Sequence, residues 1–206
     1  MQKVVIHCLK EDETIWQGLL ANKEVLLTFA DTKPFPLDAD LYIDCTFETD
    51  HNFFEIITNK PVLVNAVTIT GYALQDHQCR FNGWPGFYEK KGIEIAGSAA
   101  QLQFITEALD ALTIPYIKSP DVPGMLAARV VAMIINEAYF GWGEGISSKA
   151  DIDIAMKLGT NYPYGPFEWG YKIGVQKILE LLHVLSKTDD RYTPAKALIE
   201  ESANSK

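Results

Sequence analysis

Strand-like apolar runs fill the first 120 residues of this chain and then stop. Residues 3–8 (KVVIHC), 25–29 (VLLTF), 41–45 (LYIDC) and 61–66 (PVLVNA) are short and rich in β-branched side chains. Runs of this kind suit strands covered on both faces, as in a parallel sheet. Helices are predicted between them at 14–21 and 51–58. A strand at 93–96, a helix at 99–112 and a strand at 115–118 follow. The 99–112 helix carries Leu102, Ile105, Leu109 and Leu112 at helical spacing. Strands alternating with helices indicate βαβ units.

From Pro123 onward the pattern is helical. Residues 123–146 read as one long helix, with proline in the first turn, where a missing N–H is tolerated. Ser148 caps a further helix with Asp151 in the capping-box position, and Gly159 is expected to stop it. Pro166 opens another helix running to about residue 186. A short helix is expected within 194–202. The predicted division is an α/β domain over 1–120 and an all-α domain over 121–206.

Composition narrows the function classes. The formal net charge is −9, from 27 acids against 18 bases. Nucleic acid and anionic membrane both require clustered bases, so neither is expected as a partner. The three cysteines, Cys8, Cys45 and Cys79, are scattered, with no metal-ligand spacing. Reduced thiols in the cytoplasm are the expectation. The start, MQKVVIHCLKEDE, does not read as a signal peptide, and no apolar run reaches the ~20 residues of a membrane span. His7 reads as a core histidine, His51 and His77 as surface residues, and His183 as a residue on a helix face.

The helical half contains DVPGMLAARVV (121–131), NEA (136–138), GEGI (143–146), DIDIAMKLG (151–159) and YPYGPFEW (162–169). In order and spacing these resemble the C-terminal domain of the 3-hydroxyacyl-CoA dehydrogenases. The resemblance implies a reduced Rossmann-like, mostly parallel N-terminal domain. It also implies a helical domain of the 6-phosphogluconate-dehydrogenase C-terminal type that forms a homodimer. Expected ligands are NAD and an acyl-CoA.

The residues that would carry that chemistry are largely missing. A dinucleotide site wants Gly-x-Gly-x-x-Gly after its first strand, so that backbone N–H groups approach the pyrophosphate. Here Cys8-Leu9-Lys10-Glu11-Asp12-Glu13 stands there, with no glycine before Gly18. Asp31 is the candidate for the ribose hydroxyls, slightly later than the family pattern. The family's base is a histidine oriented by a glutamate. Aligned on Arg80, Gly83 and the later Glu-Ile, Pro85 falls at the histidine position and Glu94 at the glutamate. Glu94 alternates with Ile93 and Ile95, and a solvated strand carboxylate is the plain alternative. The substrate-contacting serine corresponds to Val67, beside Thr68, and an active-site asparagine to Ala128 or Arg129. Trp84, Phe87 and Tyr88 form an aromatic patch, read either as core packing or as a filling of the old active-site region.

Two functions follow from these residues. The first is a degenerate member of the family, without cofactor, that does not transfer hydride and acts in binding or assembly through its helical domain. The alternative is an active NAD-dependent dehydrogenase of fatty-acid metabolism with an altered site, using Glu94 or Glu89 as proton acceptor. Beside these two stands a third reading, a ligand-binding module that keeps an acyl-CoA groove but not NAD, with Tyr162, Tyr164 and Trp169 as its lining.

Overall fold

The computed structural model describes residues 1–21, 24–88 and 92–204, and Glu89 lies outside them. The chain divides into two compact units. The first comprises Met1–Gly83 and Phe87–Met125, and the second Trp84–Gly86 and Leu126–Lys206.

The first unit is an α/β layer. Its strands are β1 (Gln2–His7), β2 (Val25–Phe29), β3 (Leu41–Asp44), β4 (Val62–Asn65), β5 (Gln78–Phe81), β6 (Ile93–Ala96) and β7 (Tyr116–Lys118). They form one sheet in the order β2-β1-β3-β4-β5-β6-β7. Every pairing is parallel except β5 with β6, so the expected mostly parallel sheet is present. Helices α1 (Glu13–Leu20) and α2 (Ala99–Ala111) cover one face. There Trp16, Leu20, Ile105 and Leu109 pack on Val4, Ile6, Leu41, Ile43 and Leu63. Ser98 and Gln101 form a reciprocal capping box at the start of α2.

Within this unit, described residues from loops and turns pack on the other face. Phe35, Phe47, Phe53, Phe54 and Ile57 come from the β2–β3 and β3–β4 connections and pack on Val5, Tyr42, Val62 and Val64. The helix predicted at 51–58 is absent, and that stretch is a series of turns. Local polar bonds win there. The Thr49 hydroxyl donates to the Thr46 carbonyl at 2.8 Å, and the Asn52 N–H donates to Asp50 Oδ1 at 3.1 Å. The run is also too short to overcome helix nucleation. Strand β5 was not anticipated, because Arg80 interrupts its apolar pattern.

The second unit holds α3 (Ala127–Gly143), α4 (Lys149–Thr160), α5 (Pro166–Ile173), α6 (Val175–Ser186) and α7 (Lys196–Asn204). Three boundaries differ from expectation. Helix α3 begins at Ala127 rather than Pro123, because Gly124 and Met125 take φ values of 77° and 48°, outside the helical region. Gly159 does not stop α4. The helix runs past it to Asn161, whose φ of 56° makes the left-handed cap. The helix predicted from Pro166 to about 186 is two helices, broken at Gly174 with φ 102°.

The signature motifs of this unit have structural roles. The Phe167 and Glu168 N–H groups at the start of α5 donate to the two carboxylate oxygens of Asp153, at 2.8 and 3.1 Å. A Cβ on Gly165 would overlap that same carboxyl group, so only glycine fits. Buried Asn136 donates to the Thr193 carbonyl at 2.9 Å and accepts from the Ala195 N–H at 2.8 Å, fixing the approach to α7. Lys149 pairs with Glu201 and lies 4.0 Å from the Trp142 ring centroid.

Candidate functional site

Strand order reverses between β1 and β3, so the ends of these two strands form the topological switch point where dinucleotides sit in related sheets. The segment there differs from a Gly-x-Gly-x-x-Gly loop. The β1 end leads into a 3₁₀ turn, Lys10–Asp12, and then α1 with Glu13 in its first turn. No glycine lets a phosphate approach the backbone. Burial, together with the Asp12, Glu13 and Asp31 carboxylates, pushes the Cys8 thiol up to about 12. The Asp12, Glu13 and Asp31 carboxylates thus lie near enough to Cys8 to act on its thiol, in a turn that also carries Lys10. Asp31 stands exposed in the bend after β2.

Beside Cys8 on the opposite face, His7 stacks on Phe53 with ring centroids 3.5 Å apart, and its Nδ1 lies 2.7 Å from the Ala30 carbonyl. On the neighbouring strand Asp44 is buried, and its Oδ1 accepts from the Thr46 N–H and hydroxyl, both at 3.0 Å. Burial raises the Asp44 carboxyl to about 6, with the Thr46 bonds and His7 opposing the rise.

Glu94 is not the solvated strand residue that plain alternation allows. It is buried, because both faces of β6 are covered. Its Oε1 accepts from the Ser119 hydroxyl at 2.7 Å and its Oε2 from the Asn82 amide at 3.1 Å. The carboxylate at the orienting-glutamate position thus has neutral donors from two neighbouring segments.

Pro85 falls in the second unit, and its carbonyl accepts a hydrogen bond from Trp169 Nε1 at 2.8 Å. The adjacent Gly86 has φ 93°, and a Cβ there would stand 3.3 Å from the Trp169 ring. Tyr162 and Tyr164 pack edge-on against the same indole, with centroids 6.0 and 5.9 Å away. This segment is part of the packing of the helical unit, and proline supplies no titratable group. The aromatic patch divides. Trp84 belongs to the helical unit, while Tyr88 stacks on Trp16 in the sheet unit at 5.5 Å.

Val67 is fully buried, with its N–H on Glu48 Oε1 and its carbonyl accepting from the Gly124 N–H, both at 2.8 Å. Ala128 is buried in α3. Arg129 lays its guanidinium over the Tyr192 ring at 5.3 Å. Among the described residues no group of three His, Cys, Asp or Glu side chains has the arrangement of a metal site.

Sequence reasoning missed the Arg80 hub. Arg80 is wholly buried. Its Nε donates to Asp121 Oδ1 at 2.7 Å and its Nη2 to the Val122 carbonyl at 2.6 Å. Nη1 serves the carbonyls of Ala66, Val67 and Ile69. Asp121 also accepts from the Gly71 N–H, at 2.9 and 3.0 Å. The guanidinium fork suits such spread acceptors. Its only sequence signal was an arginine inside an apolar run.

Comparison with known proteins places these features. The family model described as 3-hydroxyacyl-CoA dehydrogenase, C-terminal domain, matches residues 124–205. The 3-hydroxyadipyl-CoA dehydrogenase of Escherichia coli K12 is 52% identical over 80 residues, covering 38% of this chain and 17% of that protein. The human mitochondrial hydroxyacyl-coenzyme A dehydrogenase is 32% identical over 162 residues, covering 74% of this chain and 50% of that protein. The matches to these two relatives thus span half of their length or less. The crystal structure of (S)-3-hydroxybutyryl-CoA dehydrogenase from Ralstonia eutropha shares the two-domain fold, with a TM-score of 0.70 at 19% identity over 99% of this chain and 94% of that one. Residues 124–205 belong to the C-terminal-domain family of the 3-hydroxyacyl-CoA dehydrogenases.

Proposed function

We propose that this protein does not transfer hydride, holds no NAD, and acts in binding or assembly through its helical domain. One observation carries the reading. The position of the family's base is a proline whose carbonyl is bonded to Trp169, while Glu94 is engaged by Asn82 and Ser119. The carboxylates around the β1 end support the same view for the cofactor. Titration with NADH, followed by nucleotide fluorescence, tests it alongside an assay of NAD reduction with 3-hydroxybutyryl-CoA. No saturable binding and no turnover are expected. Saturable NADH binding with family-like turnover would overturn the proposal.

The assembly is a homodimer. Helix α4 buries none of its residues, yet carries Ile154 and Leu158, 53% and 83% exposed. A second copy would cover this apolar face. Acyl-CoA is the ligand to try against the helical unit, with Tyr162 and Tyr164 beside Trp169 as the candidate lining. A thermal shift with acyl-CoA but not with NAD is the expected result for a retained groove. The three free thiols accord with a cytoplasmic site of action.

The alternative, an active NAD-dependent dehydrogenase in fatty-acid metabolism, draws support from the names of its relatives and from the retained, buried Glu94. It requires another proton acceptor and a different hold on NAD. The same titration decides between the two.

A further inference from the structure

Helix α4 lacks an apolar anchor, since none of its residues is buried. Polar side chains tie it to the rest of the helical unit. Asp153 caps α5, Lys157 Nζ donates to Glu168 Oε2 at 3.0 Å, and Lys149 pairs with Glu201 on α7. Lys149 is the first residue of α4, where the helix dipole disfavours a cation and suits the acid of Asp151 in the same turn. A residue set against its local preference has its reason elsewhere in the fold.

That reason is an aromatic box. Lys149 Nζ lies 4.0 Å from the Trp142 ring centroid, 5.3 Å from Phe167, 5.5 Å from Tyr139 and 5.6 Å from Tyr171. It donates to the Tyr171 hydroxyl at 2.9 Å and to Glu201. The same hydroxyl donates to Glu201 Oε1 at 2.8 Å. Tyr139 packs edge-on against Phe167 and Trp142, with centroids 4.9 and 6.1 Å away, and Trp142 against Phe167 at 6.3 Å. These three walls on α3 and α5 therefore hold one another in place without the lysine. Tyr139 and Phe167 are buried, while Trp142 and Tyr171 stand exposed at the rim. The Lys149 side chain keeps 26% exposure, so the box is open on one side. Burial opposes the Lys149 charge, but the bonds to Glu201 and Tyr171 outweigh it, and the pKa is raised.

We infer that Tyr139, Trp142, Phe167, Tyr171 and Glu201 form a recognition site for a primary alkylammonium group, which Lys149 of the same chain fills as a latch on α4. Ring faces and a carboxylate around an ammonium are the chemistry of organic-cation binding. A primary ammonium has three donors, enough for Tyr171 and Glu201, while its methylenes lie along the rings. An amine that displaced Lys149 would loosen the first turn of α4. The inference holds whether or not α4 also meets a second copy.

The test uses the full chain. Lys149→Ala removes a three-carbon stem and its ammonium, the shape of n-propylammonium. Titration of this variant with n-propylammonium, followed by aromatic and indole proton shifts, should saturate with a Kd of about 10 mM or tighter. Binding to the parent, where Lys149 competes, should be at least about tenfold weaker, and neutral 1-propanol should not saturate. Hydrogen exchange of the α4 amides should rise about tenfold in Lys149→Met relative to those of α6, and far less in Lys149→Arg. The circular dichroism of each variant should match that of the parent. No saturable binding to Lys149→Ala, equal binding to the parent or of 1-propanol, or unchanged α4 exchange in Lys149→Met would overturn the inference. The ring protons report on the box and not on the Ile154–Leu158 face, so this failure is separable from that of the proposed homodimer.

Discussion

The carboxylate of Asp153 caps α5 across the position where Gly165 lacks a side chain. Twelve residues apart in sequence, the two are one device: the acid satisfies two orphan N–H groups, and the glycine makes room for it. The Asp-Ile-Asp and Gly-Pro-Phe motifs are therefore halves of a single helix junction.

Gly165→Ala should destabilise the protein by about 2 kcal/mol, because the added methyl displaces the Asp153 carboxyl. Asp153→Ala should cost about 1 kcal/mol as a lost cap. In the Asp153→Ala background the glycine substitution should cost clearly less. Urea denaturation of the two single variants and the double variant measures the coupling, and strict additivity would show that the two positions act independently.

Arg80 and Asp121 make a second test. Arg80 is wholly buried, while Asp121 keeps 26% side-chain exposure. Asp121→Ala leaves a buried guanidinium without its counter-charge, and a loss of about 3 kcal/mol is expected. Arg80→Lys should not rescue function as a hub, since one ammonium cannot reach acceptors spread over the 66–69 segment, Asp121 and Val122. Chemical denaturation of each variant checks both statements.

Asp44 gives a pH dependence with a definite sign. Its folded-state value is raised from 3.8 to about 6, so the folded protein prefers the proton. The penalty is absent below the unfolded value, grows as pH rises from about 4 to 6, and is complete above that. Asp44→Asn should therefore stabilise by about 2 kcal/mol at pH 7 and by nothing near pH 3.5, keeping the acceptor for Thr46. Denaturation curves at several pH values test this. A gain that persists undiminished at low pH would contradict it.

Restoring the base alone should fail. Pro85→His keeps the carbonyl that Trp169 uses, but leaves acids and no glycines at the β1 end. No NAD-dependent oxidation of 3-hydroxybutyryl-CoA is expected from this variant. Turnover in it would show that the cofactor is held by another route.

For the proposed homodimer, Leu158→Glu should shift the mass in size-exclusion light scattering from dimer to monomer. Leu158 is 83% exposed in the single chain, so the Tm extrapolated to low concentration should change by little. A parent protein already monomeric at high concentration would end this proposal.

The strand runs at 3–8, 41–45, 61–66 and 93–96 were legible because buried strands carry continuous apolar residues, a local signal, whereas 25–29 carries the same signal on an edge strand with Leu26 46% exposed, so its expected cover on both faces is not met. So was the helical unit, through its motifs. The absence of glycine after Cys8 and the proline at position 85 were readable directly, since they concern residue types and not contacts. Tertiary structure decided the rest. Whether Gly159 or Asn161 ends α4 depends on which residue takes a positive φ, and the break at Gly174 depends on the packing of α5 and α6. Glu94 looked like a surface acid because alternation reports which face a side chain takes, not whether that face is covered. Its partners Asn82 and Ser119, and the carbonyls gathered around Arg80, lie up to 42 residues away along the chain. Backbone periodicity is set by neighbours in sequence, whereas the pairing of buried polar groups is set by which segments the fold brings side by side.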